Sequence, residues 1–158
     1  MFQQETIANV CYSCAGLAAG TTTTLTSANA VHYTIAGKGY TKAAASNEAT
    51  PTTDINTGAA FVALAAGKGS VFTVFRNTSG DLKVGQGTVV DLDALGNFVN
   101  NPWFCPVPSD HAPVGYILVK AKTGATTWTF GSSNLAGPPS NVVITYVNAT
   151  GGMPAKII

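Results

Sequence analysis

Three cysteines and two histidines are the side chains of this sequence that could hold a metal ion or carry redox chemistry. Cys11 and Cys14 stand two residues apart, which is the spacing of a redox pair or of half a zinc site. Cys105 with His32 or His111 could complete four ligands. The sequence has no second Cys-x-x-Cys and no His-x-x-x-His, however. We therefore expect the cysteines to pack as small apolar groups, with no structural metal, no disulfide and no cofactor.

Ser109, Asp110 and His111 supply the residue types of a catalytic triad in consecutive positions. A triad needs side chains that converge from separate elements, whereas adjacent residues of a strand or turn point in different directions. The sequence has no Gly-x-Ser-x-Gly motif, and its seven acidic residues form no pair suited to glycoside hydrolysis. We expect no catalytic residues and no enzymatic activity.

The same stretch favours a structural interpretation. Pro106, Pro108 and Pro113 fix the backbone and remove hydrogen-bond donors, which predicts a stiff corner before the next strand. That strand, "VGYILVKAK", is apolar on both faces up to its lysines, so we expect it to be central in a sheet. Leu118→Asp should then unfold the domain, because a buried unpaired carboxylate is costly. The expected buried faces are Ile117 with Val119, and Tyr116 with Leu118.

Short β-branched segments separated by Gly, Asn and Asp turns recur along the chain. The clearest is "VHYTIAGKGYTKA", which reads as a tight hairpin in which glycine supplies positive φ. The pattern predicts an all-β, single-domain antiparallel β-sandwich or barrel, with short or no helices and an extended N-terminal segment. Further strands are expected in "SVFTVFR", "LKVGQGTVVDL", "TTWTFG" and "NVVITYVN".

Two segments fit more than one structure. "TKAAASNEAT", residues 41–50, could form one or two helical turns that stop before Pro51. "GAAFVALAAGKG", residues 58–69, could be a strand or a short helix capped by Gly67, and the strand is favoured because the surrounding segments are strands.

We divide the chain into two parts: an N-terminal arm or edge strand, residues 1–26, and a β-domain, residues 27–158. The first segment spaces its apolar side chains along a stretch too short to build a core of its own. It either extends as an arm whose apolar side chains bury against a partner, or adds an edge strand to its own domain. The candidate contact residues are Phe2, Ile7, Val10 and Tyr12.

Composition restricts the possible partners. Only 9% of the 158 residues are charged and the formal net charge is +1, so neither nucleic acid nor an anionic membrane is an expected partner.

The N-terminus has no basic region before an apolar run, so we expect no cleaved signal peptide. Because three cysteines cannot all pair within one chain, at least one is free, which fits a reducing compartment. We expect synthesis in a cytoplasm.

Three stretches of the sequence form a recognisable pattern: "HYTIAGKGYTKAAA", "LAAGKGSVFTVFRNTSGDLKVGQG" and "VPSDHAPVGYILVKAKTGATTWTFGSSN". Together they resemble a family of small virion proteins of tailed bacteriophages, encoded beside the major capsid gene and described as structural or head decoration proteins. The resemblance extends over roughly residues 31–147. The N-terminal "CYSCAGLAAGTTTTLT" and the C-terminal "NATGGMPAKII" depart from the family pattern.

The resemblance implies a capsid decoration or cement protein, a homotrimer made in the host cytoplasm, that binds the outer head surface through the major capsid protein. It brings no catalytic or metal-binding residues. Low charge fits such a role, because charged groups are costly to desolvate at an interface core. Another virion role is the alternative: a head fibre base, a tail component or a host-surface adhesin. An adhesin that binds carbohydrate would expose a loop aromatic, and Trp103 is the candidate.

Overall fold

Short β-branched segments form strands, and polar or glycine-containing segments form the connections between them. The structure is a computed structural model that describes residues 9–154 and 157. The described residues contain no helix, and therefore none long and apolar enough to cross a membrane. The strands are β1 (Val10–Cys11), β2 (Leu17–Ala19), β3 (Leu25–Ser27), β4 (Val31–Ile35), β5 (Lys38–Lys42), β6 (Ala45–Glu48), β7 (Lys68–Asn77), β8 (Leu82–Gln86), β9 (Val90–Asp91), β10 (His111–Ala121) and β11 (Val142–Asn148).

Three antiparallel sheets pack together to give the all-β domain that the sequence predicts. The large sheet has the order β11-β10-β7-β8, with β9 paired to the far end of β7. Two three-stranded sheets, β1-β4-β5 and β2-β3-β6, complete the fold. Nearly all of their inner side chains join those of the large sheet in one buried cluster.

The predicted central strand is confirmed. β10 pairs with β7 on one side and β11 on the other. Ile117 and Val119 are fully buried in the main cluster between the sheets. Tyr116 and Leu118 face the opposite side, where Leu118 is only half-buried. This second cluster joins Val71, Tyr116 and Ile157 with Phe104, Leu118, Val147 and Met153.

The proline corner differs in detail from the expectation. β10 begins at His111, so Pro113 lies inside the strand rather than before it. The register with β7 shifts between Pro113 and Gly115, which is how the ladder accommodates a residue that has no N–H to donate. A side chain at Gly115 would collide with Leu17 and with the carbonyl oxygen of Val147, so glycine is required there. Pro106 and Pro108 lie in the irregular segment before β10, as predicted.

Neither of the two ambiguous segments, residues 41–50 and 58–69, forms a helix, and neither is a strand over its whole length. Residues 45–48 form β6, with Asn47 at a φ of 55°. The segment 58–69 is mostly irregular, so the favoured strand is wrong for residues 58–67. "TTWTFG" is likewise no continuous strand, and its Trp128 makes a single two-bond bridge to Leu64. Burial explains this, because Phe130 stacks on Phe72 and Trp128 packs edge-on against it in the main cluster, without a neighbouring strand for their backbone.

A buried arginine fastens the large sheet to the β2-β3-β6 sheet. The Arg76 side chain is fully buried and its Nη1 and Nη2 each donate to one carboxylate oxygen of Glu48, both at 2.7 Å. Nη2 also donates to Ser27 Oγ at 3.1 Å, and Nη1 to the carbonyl oxygen of Gly80 at 3.1 Å. Strands from two sheets therefore converge on one guanidinium, a geometry that only the fork of arginine provides.

Candidate interaction surface

The connection from β8 to β10 carries most of the large apolar side chains that the described residues expose. Leu95 is 79% exposed, Trp103 75% and Val99 59%. Residues 94–109 contain no charged side chain. An uncharged stretch that exposes an aromatic group has the composition of an interface core. Charged side chains border it, because Lys122 lies against Gly96 and Lys120 Nζ lies 4.7 Å from the centroid of the Phe98 ring. We call the exposed apolar side chains of this connection the loop surface: Val89, Leu95, Val99, Trp103 and Val107.

A tight turn holds Leu95 at its tip. The backbone N–H groups of Leu95 and Asn97 donate to Asp93 Oδ1, both at 2.9 Å, and Asp93 N donates to the carbonyl oxygen of Asn97 at 2.8 Å. The hydrogen bond from the backbone of Asn97 is the main cause that lowers the pKa of the Asp93 carboxyl below its ordinary value. Gly96 supplies a φ of 82°. The turn is therefore built from its own sequence, and its apolar tip points to solvent.

Trp103 is presented from a fixed backbone. Its N–H donates to Thr88 Oγ1 at 2.8 Å, and Thr88 N donates to the carbonyl oxygen of Trp103 at 3.1 Å. On either side Pro102 is buried and Phe104 packs edge-on against Tyr116, with ring centroids 5.0 Å apart. A backbone held in this way loses little conformational entropy on binding. This arrangement suits an anchor residue of an interface.

The N-terminal contact residues fall into two groups. Phe2 and Ile7 lie outside the described residues. Val10 is half-buried in β1, opposite Thr34 of β4. Tyr12 is 60% exposed, and its hydroxyl lies 3.2 Å from Thr34 Oγ1. The structure therefore brings Val10 and Tyr12 together along β4, and it places Tyr12 at the surface.

From Asn9 onward the N-terminal segment is part of the sheets. Asn9 Nδ2 donates to the carbonyl oxygens of Ser109 and His111, at 2.7 and 2.8 Å, and its Oδ1 accepts from Ala36 N at 3.0 Å. Cys11 is fully buried in the main cluster. Beside these residues an uncharged groove of about 580 Å³ opens. Its wall includes Asn9, Ala36, Val107, Pro108 and Met153.

One deletion tests the packing of this segment within its own domain. Removing residues 1–19 should abolish cooperative unfolding, because it deletes β1 and β2 and the buried side chains of Cys11, Ala15 and Leu17. Thermal unfolding followed by circular dichroism measures the change. An unchanged melting temperature would contradict the packing described here.

The residues considered for a triad make a structural corner. His111 is buried, its Nδ1 lies 2.7 Å from Asp110 Oδ1, and its ring packs edge-on against Phe75. The hydrogen bond with His111 is the main cause that lowers the pKa of Asp110. Within the described part of the chain, the hydrogen bond of Ser109 is made by its carbonyl oxygen, which accepts from Asn9 Nδ2. In the hydrogen bonds described here, no serine or cysteine side chain is paired with the ring of His111.

The three cysteines lie in different environments. Cys11 is buried and donates to the carbonyl oxygen of Ser13 at 3.0 Å, Cys14 is exposed and Cys105 is half-buried. Burial raises the pKa of the Cys11 and Cys105 thiols, which disfavours the thiolate that a metal or a redox reaction needs. Residues 9–154 and 157 contain no group of three or more His, Cys, Asp or Glu side chains placed to hold a metal ion. His32, the remaining ligand candidate, is exposed on β4 and its Nδ1 lies 3.0 Å from Thr41 Oγ1.

Sequence reasoning singled out Trp103 but not Leu95 or Val99. The signal that could have found them is the charge-free run of residues 94–109, in which apolar side chains alternate with asparagine, glycine and proline. Such a run can be buried core or exposed interface, and only the structure separates the two.

Comparison with known proteins identified no match. No protein-family model matches the chain, no curated protein matches it, and no solved structure matches its fold.

Proposed function

We propose that this chain is a bacteriophage head decoration protein that binds the outer surface of the capsid and stabilises the shell. Its partners in this proposal are the major capsid protein and two further copies of itself in a homotrimer. It acts in the virion by binding and performs no chemical step.

The observation that carries the proposal is the loop surface. Four of its five side chains stand on a stretch of 16 residues without charge, 94–109. Burying them against a protein shell would desolvate few charged groups, chiefly Asp93 and Lys122 beside the Leu95 turn. Each such contact contributes modestly, on the order of 1–3 kcal/mol per buried large side chain before ordering costs. A trimer would present the surface three times, so modest contacts would add up to stable attachment.

The resemblance noted in the sequence is consistent with this role. The stretch "LAAGKGSVFTVFRNTSGDLKVGQG" contains β7 and β8, and "VPSDHAPVGYILVKAKTGATTWTFGSSN" contains β10 and Trp128. These segments supply most of the large sheet and its buried aromatic residues. The similar part of the sequence is therefore the scaffold that supports the loop surface.

Trp103→Ala is expected to weaken binding to undecorated heads about 30-fold or more, the loss typical of an anchor residue worth ~2 kcal/mol. Occupancy on purified heads, measured by sedimentation and gel densitometry against protein concentration, gives the affinity. Val62→Ala is the matched control, because Val62 is also an exposed apolar residue, at 60%, but lies outside the loop surface. Equal binding by both variants and the parent chain would remove Trp103 from the interface. Failure of the parent chain to bind heads would contradict the proposed function itself.

A host-surface adhesin is the second candidate, and the exposure of Trp103 is the observation that favours it. An indole ring held on a fixed loop can stack on the apolar face of a sugar ring. Binding of the purified protein to host-cell envelope polysaccharide, followed by the change in tryptophan fluorescence, tests this candidate. Saturable binding that Trp103→Ala abolishes would support an adhesin. Binding to heads alone would support decoration.

A further inference from the structure

β11 is an uncharged strand at the open edge of the large sheet. It pairs with β10 over all seven of its residues in one continuous register. Its other side faces no strand among the described residues, and residues 143–147 make no backbone–backbone hydrogen bond to any described residue outside that ladder. In an edge strand, alternate residues point their N–H and C=O groups away from the neighbouring strand. A row of backbone donors and acceptors along β11 therefore has no partner within residues 9–154 and 157.

Natural proteins protect such edges with lysines, prolines, bulges or covering segments. β11, "VVITYVN", contains no charge, no proline and no register shift. Val143 is 41% exposed and Thr145 is exposed, so one face of the strand is open to solvent at its middle. The edge has the properties of a strand that pairs with another strand.

The other outer strands of the described sheets are protected. At the opposite edge of the large sheet β8 carries Lys83, and Ile55 N donates to the carbonyl oxygen of Val84 at 3.0 Å. β5 carries Lys38 and Lys42 at its two ends. β6 carries Glu48, which is bound to Arg76. β1 and β2 have only two and three residues. Among the strands that the structure describes, β11 is thus the long outer strand without such protection.

We infer that β11 is a contact between two copies of this chain, which pair edge to edge as antiparallel strands about a twofold axis. Open backbone groups in a row are satisfied fully only by another extended chain. An uncharged strand opposes no like charges when it meets its own copy, whereas β5 would bring lysines together. Seven residues turned antiparallel place the middle residue, Thr145, opposite Thr145 of the second copy, and the two large sheets become continuous.

This contact is independent of the proposed function and of the proposed threefold association. A twofold contact alone gives a dimer, and combined with a trimer it gives a particle of six chains. In both cases the mass is twice that of the form in which β11 is blocked. The expected ratio therefore does not depend on whether the trimer exists.

Thr145→Lys tests the inference, because it puts two ammonium groups opposite each other at the axis while the lysine side chain remains exposed in the separated chain. Light scattering after size exclusion, at protein concentrations up to several hundred micromolar, should give the variant half the mass of the parent chain. Ser46→Lys is the matched control on the edge strand β6, where Ser46 is also exposed, and should keep the parental mass. Equal masses for the parent chain and Thr145→Lys would overturn the inference, as would a parental mass of one or three chains.

Cysteine cross-linking gives a second, position-specific measurement. Directly opposite residues of antiparallel strands have Cα atoms about 4.5–5.5 Å apart, within the range that a disulfide spans. In a Cys14→Ser background, which removes the exposed native thiol, Thr145→Cys should form a covalent dimer under mild oxidation and Ser46→Cys should not. Equal cross-linking of the two variants would contradict the assigned register.

Discussion

Glu48→Ala is expected to lower the free energy of unfolding by about 3–5 kcal/mol, the typical cost of removing one partner of a buried ion pair. The substitution leaves the guanidinium of Arg76, whose side chain is fully buried, without a carboxylate. Its remaining described hydrogen bonds, to Ser27 and Gly80, come from neutral groups and do not neutralise the charge. Equilibrium denaturation in urea measures the change, as a lower midpoint with an unchanged slope.

An exposed ion pair provides the matched control. Lys68 and Asp91 also form an ion pair between two strands, but their side chains are 45% and 67% exposed. Asp91→Ala should therefore change stability by less than about 1 kcal/mol. The combined variant Arg76→Met with Glu48→Leu should be more stable than Glu48→Ala, because it removes both buried charges and retains apolar volume. A Glu48→Ala loss no larger than that of Asp91→Ala would show that the Arg76 charge is not buried in solution.

Ile117→Asp is expected to abolish folding at 25 °C. Ile117 is fully buried between the sheets, and a carboxylate there would have no partner in the main cluster. The cost of several kcal/mol, added to the lost packing, approaches the total stability of about 5–15 kcal/mol typical of a domain. Loss of dispersed amide proton signals in a two-dimensional NMR spectrum would report the effect.

The adjacent residue is the matched control for Ile117. Leu118 points to the other face of β10 and is only half-buried, so its carboxylate variant retains water contact. Leu118→Asp should be destabilised but still fold, a smaller effect than the sequence alone predicts. Equal loss of structure in both variants would mean that the second cluster is packed as tightly as the main one.

The sequence by itself determined the elements whose burial pattern is local. Alternation in "VHYTI" and continuous apolar character in "SVFTVF" and "VGYILV" predict β4, β7 and β10, because the side chains of a strand alternate between two faces. The hairpin of β4 and β5 is also predicted, but its turn is Ala36–Gly37 rather than the "GKG" segment, and Ala36 as well as Gly37 has a positive φ. The all-β class and the central position of β10 follow from these local rules alone.

The tertiary structure decided everything that depends on residues far apart in the chain. Residues 58–67 and "TTWTFG" have apolar side chains that fill the main cluster, but no strand was free to pair with their backbone, so strand propensity did not become a strand. The sequence does not indicate that Glu48 and Arg76 form an ion pair, because they are 28 residues apart. Two sheets bring their side chains to 2.7 Å. Exposure of Trp103 and of the β11 edge is likewise fixed by what packs beside them. Apolar composition has the same appearance in a core and at an interface, and only the packing of distant segments determines which of the two it forms.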